Sequence, residues 1–76
     1  MSENFVNLFA KYKNKIIVVR MNDKTTIEGM LIEYDGIMNV TLDDARDVSN
    51  KKTLPLGRTL VRGSRITAIS FPTDNE

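Results

Sequence analysis

Residues that could do chemistry are few in this chain, which contains no histidine and no cysteine. Without them no nucleophile–base pair can be drawn, and no glycine-rich phosphate loop is present, so we expect no enzymatic activity. The polar residues that stand out are Asp35, Asn39 and Arg62, the last followed by Gly63. An amide offers a hydrogen-bond donor and an acceptor, and a guanidinium is flat and always charged. Such groups suit the binding of an unpaired nucleic-acid base.

Each of these residues also has a simpler structural explanation. Asn39 lies in an otherwise apolar, alternating segment and could be an exposed polar residue. Arg62 and Gly63 could form a turn with a solvated arginine, and Asp35-Gly36 is typical of a turn in either case. Taken one at a time, these residues leave the binding interpretation and the structural interpretation open.

Metal binding has one candidate, the acidic cluster Asp43, Asp44 and Asp47, which could offer oxygen ligands to a hard cation. A solvated strand end explains the same cluster more simply. With no cysteine, neither a disulfide framework nor thiolate coordination of zinc is available. We therefore predict no metal site and no cofactor.

The length of 76 residues allows one small domain, and 41% hydrophobic with 28% charged residues is the composition of an ordinary globular chain. No apolar run approaches the roughly 20 residues of a membrane-spanning helix, and no signal peptide is evident, so we expect a soluble, cytosolic protein. A core of this size yields only about 3–5 kcal/mol, which favours stabilisation by self-association.

Charge is unevenly distributed although the net charge is only +1. Acidic residues dominate positions 28–47 and basic residues dominate positions 51–65. The overall charge does not argue for duplex binding, which depends on many lysine and arginine contacts with phosphates.

A short amphipathic helix is predicted at residues 4–12, because Phe5, Leu8, Phe9 and Tyr12 recur at spacings of three and four. Ser2-Glu3-Asn4 offers N-caps for it, and Lys13-Asn14 ends it. A helix this short is unstable alone, so its aromatic face should pack on the open end of a sheet.

Five strands follow, predicted at residues 16–19, 26–35, 38–43, 59–62 and 65–71. Gly29 lies inside the second strand, where a glycine commonly marks a bulge or a sharp bend. Residues 45–58 are polar and are predicted to form a variable loop whose flanks can extend the neighbouring strands. Met21, Met30 and Met38 are expected to fill the core or an interface.

The predicted fold is mostly β: an N-terminal α-helix followed by a five-stranded, strongly bent antiparallel sheet that forms a partly open, SH3-like barrel. An open barrel has two unpaired strand edges, and these invite pairing with another copy of the chain. Head-to-tail strand addition that closes on itself makes a ring.

Two segments of the chain resemble the paired motifs of a known family. Residues 21–44, MNDKTTIEGMLIEYDGIMNVTLDD, resemble the first Sm motif, and residues 59–71, TLVRGSRITAISF, resemble the second, with Arg-Gly at its centre. The chain is therefore similar to the Sm-like (LSm) family, with residues 1–76 as a single domain. The short chain is typical of an archaeal, homo-oligomeric member. Leu60-Val61-Arg62-Gly63 differs from the Tyr-Lys-His of the bacterial Hfq branch.

This resemblance implies a ring, commonly of seven subunits, in which the fourth strand of one subunit pairs with the fifth strand of the next. It also implies that oligouridine binds inside the ring. By motif position, Asn39 would hydrogen-bond the uracil edge and Arg62 would stack on the base. Asp35 would hold Asn39 in place, Gly63 would add a backbone contact, and Ile37 occupies the position where the family normally presents a flat ring.

The expected function is an RNA-binding ring that acts as a scaffold or chaperone for single-stranded, uridine-rich RNA. The alternative is a structural ring that mainly assembles proteins, with RNA binding vestigial because Ile37 has no π face. Lys51 and Lys52 could contact RNA that leaves the ring or could keep their loop soluble. Lys11 on the helix could present a further RNA contact.

Overall fold

The computed structural model describes the backbone of residues 5–72 and the side chains of residues 7–72. The N-terminal helix α1 spans Phe5–Tyr12. Five strands follow it: β1 (Ile16–Met21), β2 (Thr26–Tyr34), β3 (Val40–Asp47), β4 (Leu54–Val61) and β5 (Ile66–Ser70). They form one antiparallel sheet in the order β4-β3-β2-β1-β5, so the predicted fold class is confirmed. The predicted N-caps at residues 2–4 lie outside the described residues.

The helix packs across the open end of the sheet through its aromatic side chains, as its spacing predicted. Phe9 is fully buried, with its ring centroid 5.4 Å from that of Tyr34, and Tyr12 lies 5.0 Å from Phe71. Tilted aromatic pairs at such distances add about 0.5–1.5 kcal/mol each beyond the area they bury. The predicted contribution of the Phe5 side chain lies outside the described side chains.

Strand β2 bends at Gly29, and packing explains why the residue there is glycine. A Cβ atom at Gly29 would lie 3.0 Å from the Cβ of Leu42 and 3.1 Å from the Cα of Ala45. The register between β2 and β3 also shifts between Glu28 and Met30. This close approach and irregular pairing confirm the bend expected from a glycine within a strand.

The core lies between the helix and the concave face of the bent sheet. Alternate residues of the strands point into it, as a period of two requires. Its buried members are Phe9, Tyr12, Ile17, Val19, Ile27, Leu31, Val40, Leu42, Ala45 and Val61. Among the methionines, Met21 and Met38 pack against this core, whereas Met30 is 37% exposed.

The loop between β3 and β4 covers residues 48–53, so both flanks of the predicted loop at 45–58 extend the neighbouring strands, as expected, and the fourth strand predicted at 59–62 was too short. Its flanks pair as strand, with Ala45 opposite Gly57 and Asp47 opposite Leu54. Pro55 and Gly57 are disfavoured inside strands, so the sequence predicted a loop here, but an edge strand tolerates proline. The predicted turn at Gly63-Ser64 is a single 3-10 turn, Gly63–Arg65.

Strands β4 and β5 are the two edges of the sheet, and each pairs with only one neighbour. The barrel is therefore open, as expected. Apolar side chains on β4 face solvent in the isolated chain: Leu54, Leu56 and Leu60 are 50%, 43% and 62% exposed. Across the part of the chain that the structure describes, no helix is long and apolar enough to cross a membrane.

Candidate functional site

Two neighbouring turns bring the predicted site residues together. The turn between β2 and β3 carries Asp35, Ile37 and Asn39, and the turn after β4 carries Arg62 and Gly63. Val40 pairs with Val61, so β3 begins where β4 ends and the two turns lie side by side. Residues from distant parts of the sequence thus meet at one end of the β3–β4 pair.

The carboxylate of Asp35 organises the first turn. Its Oδ1 atom accepts hydrogen bonds from the backbone N–H groups of Ile37 and Asn39, each at 3.0 Å. Its Oδ2 atom accepts a third from Nδ2 of Asn39, also at 3.0 Å. Met38 occupies the left-handed region in this turn, with φ of 71°. The contacts of one acidic side chain therefore hold both the turn and the Asn39 amide, in the arrangement predicted for Asp35.

The Asn39 side chain also reaches the second turn, where its Oδ1 atom accepts the backbone N–H of Gly63 at 2.8 Å. A primary amide has two N–H donors and two acceptor lone pairs. Asp35 takes one donor and Gly63 takes one lone pair. Within the described part of the chain, one donor and one acceptor of the half-buried amide therefore remain for a ligand.

Gly63 is fitted closely against the first turn. A Cβ atom at this position would lie 2.7 Å from the carbonyl carbon of Met38 and 2.8 Å from its oxygen. The Gly63 N–H bonds to Asn39, and its carbonyl oxygen accepts the N–H of Ile66. Both backbone polar groups of Gly63 thus have partners inside the protein. The Arg-Gly pair in the sequence did not reveal this contact.

Arg62 and Ile37 project from the two touching turns. Ile37 is 74% exposed, and Arg62 is exposed on extended backbone with φ of −75° and ψ of 133°. Within residues 7–72, no hydrogen bond or ion pair engages the Arg62 guanidinium. Its five N–H donors and its flat face are therefore presented outward.

Two further contacts that hold the Gly63–Arg65 turn are not evident from the sequence. The Arg65 guanidinium lies 3.3 Å from the carboxylate of Asp23, and the N–H of Asn22 donates to the carbonyl of Arg65 at 2.8 Å. These contacts join the β1–β2 turn to the turn that carries Arg62. No local signal could have shown them, because the paired residues lie far apart in sequence.

Hydrogen bonding shifts the acidity of Asp35. The pKa of the Asp35 carboxyl lies below its ordinary value of 3.8, chiefly because it accepts a hydrogen bond from the backbone N–H of Asn39. The hydrogen bonds from the Ile37 backbone N–H and from the Asn39 side-chain amide lower it further. A depressed folded-state pKa adds stability that is present above the unfolded pKa and is lost as pH falls through the folded pKa. The turn is therefore held by Asp35 throughout the neutral range.

We expect acid to release this turn. The contribution of the Asp35 carboxylate to the thermal unfolding temperature should be constant from about pH 7 to about pH 5 and should fall below about pH 4, as the carboxylate is protonated. An Asp35→Ala variant should start lower at neutral pH and show a smaller acid-induced fall than the wild type. Asp44→Asn removes an exposed carboxylate outside the turn, at a left-handed residue with φ of 52° that asparagine tolerates, and is the control. An unchanged acid response in Asp35→Ala would contradict the role given to the carboxylate.

The other candidate groups lie outside this site. Asp43 is 3.5 Å from Arg58, and Asp47 accepts a hydrogen bond from the Ser49 hydroxyl. Among the described residues, no group of three or more carboxylates is arranged to hold a metal ion. Lys51 and Lys52 are exposed in the loop between β3 and β4.

The sequence is similar to proteins of one family over most of its length. The family model described as the LSM domain matches residues 7–71, a span that includes both predicted motifs. Small nuclear ribonucleoprotein G of Saccharomyces cerevisiae is 34% identical to the chain over 64 residues, which cover 78% of this chain and 82% of the yeast protein.

Solved structures show the same fold. A heptameric archaeal Sm protein matches with a TM-score of 0.81 at 26% identity, covering 84% of this chain and 94% of that one. The Pyrococcus abyssii Sm protein in complex with a uridine heptamer matches with a TM-score of 0.82 at 28% identity, covering 90% of this chain and 97% of that one.

Proposed function

The chain belongs to the LSM domain family, and on that basis we propose that its copies form a closed ring that binds single-stranded, uridine-rich RNA in the central pore. The ring would act as a scaffold or chaperone in RNA metabolism and would perform no chemistry on the RNA. One related archaeal Sm protein is heptameric, and another was solved with a uridine heptamer. Both support the proposal, and we propose seven subunits by analogy.

The free edges of the sheet support the ring. Strands β4 and β5 lie at opposite ends of the sheet, each with one unpaired side. Pairing β4 of one subunit with β5 of the next would satisfy both edges and would help to cover the exposed leucines of β4. Because every subunit offers both edges, the addition repeats head to tail and closes when the rotation between neighbours allows it.

The Asn39 amide is the single observation that carries the RNA proposal. Asp35 and Gly63 hold it from two sides and, as far as residues 7–72 are concerned, leave one donor and one acceptor free. Uracil offers a carbonyl acceptor and an N3–H donor on adjacent positions of its edge, so the two groups are complementary. Arg62 would stack on the base, and one Arg62 per subunit would line the pore with positive charge.

Binding of matched homopolymers tests this function. We expect wild-type protein to bind a labelled uridine heptamer at least about tenfold more tightly than a cytidine heptamer at the same salt concentration. Identical charge and length in the two RNAs remove the electrostatic term from the comparison. Equal affinities, or no binding at physiological salt, would contradict the proposal.

A second candidate function rests on Ile37. It is 74% exposed at the position where the family resemblance calls for a flat ring, and isoleucine offers no π face to a base. A ring that mainly assembles proteins would tolerate this change. A stable ring without a uridine preference would favour this second function over RNA binding.

Restoring a ring-bearing side chain should strengthen RNA binding. Stacking of a base on an aromatic side chain contributes about 1–3 kcal/mol per base, so Ile37→Tyr should lower the Kd for a uridine heptamer at least about fivefold. Repetition of the site around the ring would increase the gain. The control is Ile16→Tyr, which adds the same ring at a 54% exposed position on β1. Unchanged affinity in Ile37→Tyr would show that Ile37 lies outside the base pocket.

A further inference from the structure

We propose that the Asp35-Gly36 bond is a latent site of spontaneous isomerisation, which the hydrogen bonds of the folded turn keep from reacting. In this modification an aspartate residue becomes an isoaspartate residue. Because the reaction needs no RNA, the site goes beyond the proposed function and does not depend on it.

The reaction requires only water. The backbone nitrogen of Gly36 attacks Cγ of Asp35, the nitrogen gives up its proton, and the protonated carboxyl group gives up its OH, so that one water leaves and a five-membered succinimide ring remains. A second water then opens the ring. Attack at the side-chain carbonyl returns aspartate, whereas attack at the backbone carbonyl leaves isoaspartate. In isoaspartate the main chain runs through Cβ and Cγ, and the carboxylate is attached to Cα.

The residue after Asp35 makes this position the one most open to the reaction. Asp35 is followed by glycine, and no other aspartate or asparagine of the chain is. A side chain on the following residue hinders the approach of its nitrogen to Cγ, and glycine has none. A Cβ at Gly36 would meet no atom within 4 Å, and Asp35 is exposed, so the surroundings exclude neither the ring nor water. Without the hydrogen bonds of the turn, we expect isomerisation here first.

The carboxylate of Asp35 is held by three hydrogen bonds in the folded chain. It accepts the backbone N–H groups of Ile37 and Asn39 and the side-chain N–H of Asn39, each at 3.0 Å. Before it can lose water, the group must be protonated and must turn toward the Gly36 nitrogen, and both changes disrupt these charge-assisted bonds. The lowered pKa of Asp35, caused chiefly by the Asn39 backbone N–H, also reduces the fraction in the reactive neutral form.

The backbone at the reacting bond is held as well. The Asp35 carbonyl accepts the N–H of Met38 at 3.2 Å, and the Asp35 N–H donates to the carbonyl of Asn39 at 3.1 Å. The Asp35 carbonyl and the Gly36 nitrogen belong to one rigid peptide plane. The bond to Met38 therefore restricts the rotation that would carry this nitrogen toward Cγ. The folded turn opposes ring closure through both the carboxyl group and the backbone.

Isomerisation would dismantle the turn that prevents it. The main chain would gain one carbon atom between Asp35 and Gly36, and the carboxylate would sit on a shorter arm. The three donors that now meet the Asp35 carboxylate would no longer share one acceptor group, so the Asn39 amide would lose a partner. Any subunit whose turn opens for long enough would be altered permanently at this position.

Ageing the wild-type protein beside a synthetic peptide of residues 33–41 at neutral pH tests the protection. Mass spectrometry with electron-transfer fragmentation distinguishes the two linkages at position 35, although their masses are equal. We expect isoaspartate to accumulate at least about tenfold faster in the peptide than in the folded protein. Gly36→Ala in the peptide should slow the reaction at least about fivefold, because the added Cβ hinders the attacking nitrogen. Equal rates in peptide and protein, or a peptide that does not isomerise, would overturn the inference.

Two variants separate the hydrogen bonds of the turn from overall stability. Asn39→Ala removes the donor to Oδ2 of Asp35 and should raise the rate at position 35 in the folded protein at least about threefold. Val19→Ala is the control, because it shortens a fully buried core side chain on β1 and destabilises the protein without touching Asp35. Equal acceleration in the two variants would assign the protection to global stability and overturn the inference. Should Asn39→Ala not fold, the comparison of wild type with peptide decides.

Discussion

Arg62→Ala is expected to abolish most of the affinity for a uridine heptamer while leaving the protein folded. The guanidinium is exposed and has no partner among residues 7–72, so its loss leaves no polar group buried and unpaired. Stacking on one base contributes about 1–3 kcal/mol, which is at least about fivefold in Kd for a single subunit. Around a ring the losses multiply, so we expect a combined loss of about a hundredfold or more. Fluorescence anisotropy with a labelled heptamer measures the change.

Arg20→Ala is the matched control for this substitution. Arg20 is also exposed, lies on β1 away from the two turns, and carries the same charge. Its loss should lower the affinity by no more than a few fold through the general electrostatic term. Equal losses in the two variants would show that RNA is held by overall charge rather than by the pocket.

Gly63→Ala is expected to cost both stability and RNA binding. The added Cβ would lie 2.7 Å and 2.8 Å from the carbonyl atoms of Met38, which are backbone and cannot move away as a side chain can. Overpacking of this kind costs about 1–3 kcal/mol and more where backbone must shift. The two turns would separate, and the Gly63–Asn39 hydrogen bond would be lost with the contact. Chemical denaturation at a fixed protomer concentration measures the stability, since assembly makes it concentration-dependent.

Gly36→Ala is the control, because it makes the same change in the neighbouring turn. A Cβ at Gly36 would meet no atom within 4 Å, and its φ lies outside the left-handed region. We expect a change within about 0.5 kcal/mol and normal RNA binding. If both alanine variants behaved like the wild type, the close contact between the turns would not exist in solution.

Much of the fold could be predicted because its signals are local. The helix followed from the spacing of Phe9 and Tyr12, and β3 followed from the alternation of Val40 and Leu42 with polar residues. The bend at Gly29 followed from a glycine inside an apolar strand. Each of these patterns is set by neighbours within a few positions, which is the range that sequence periodicity reports.

The length of β4 could not be predicted, because it depends on contacts that are distant in the sequence. Pro55 and Gly57 lower the strand propensity of the segment, and Gly57 adopts a φ of 75°. Pairing with β3 overrides these local preferences, and that pairing depends on residues ten or so positions away. Tertiary context decides such edge strands more than their own residue types do.

The sequence predicted which residues form the candidate site, but only some of the contacts between them. The motifs supplied Asp35, Asn39 and Arg62, and the bond between Asp35 and Asn39 spans a single turn. The bond from Gly63 to Asn39 joins positions 24 residues apart, and the contact of Arg65 with Asp23 joins positions 42 apart. Such contacts depend on how the turns meet in space.

Native mass spectrometry of the wild-type protein, with and without a uridine heptamer, tests the central claim most directly. We expect a closed ring of seven subunits that gains the mass of one RNA when the heptamer is added and does not when a cytidine heptamer replaces it. A protein that remains a monomer in both samples would contradict the pairing of β4 with β5, and with it the pore in which Asn39 and Arg62 are proposed to act.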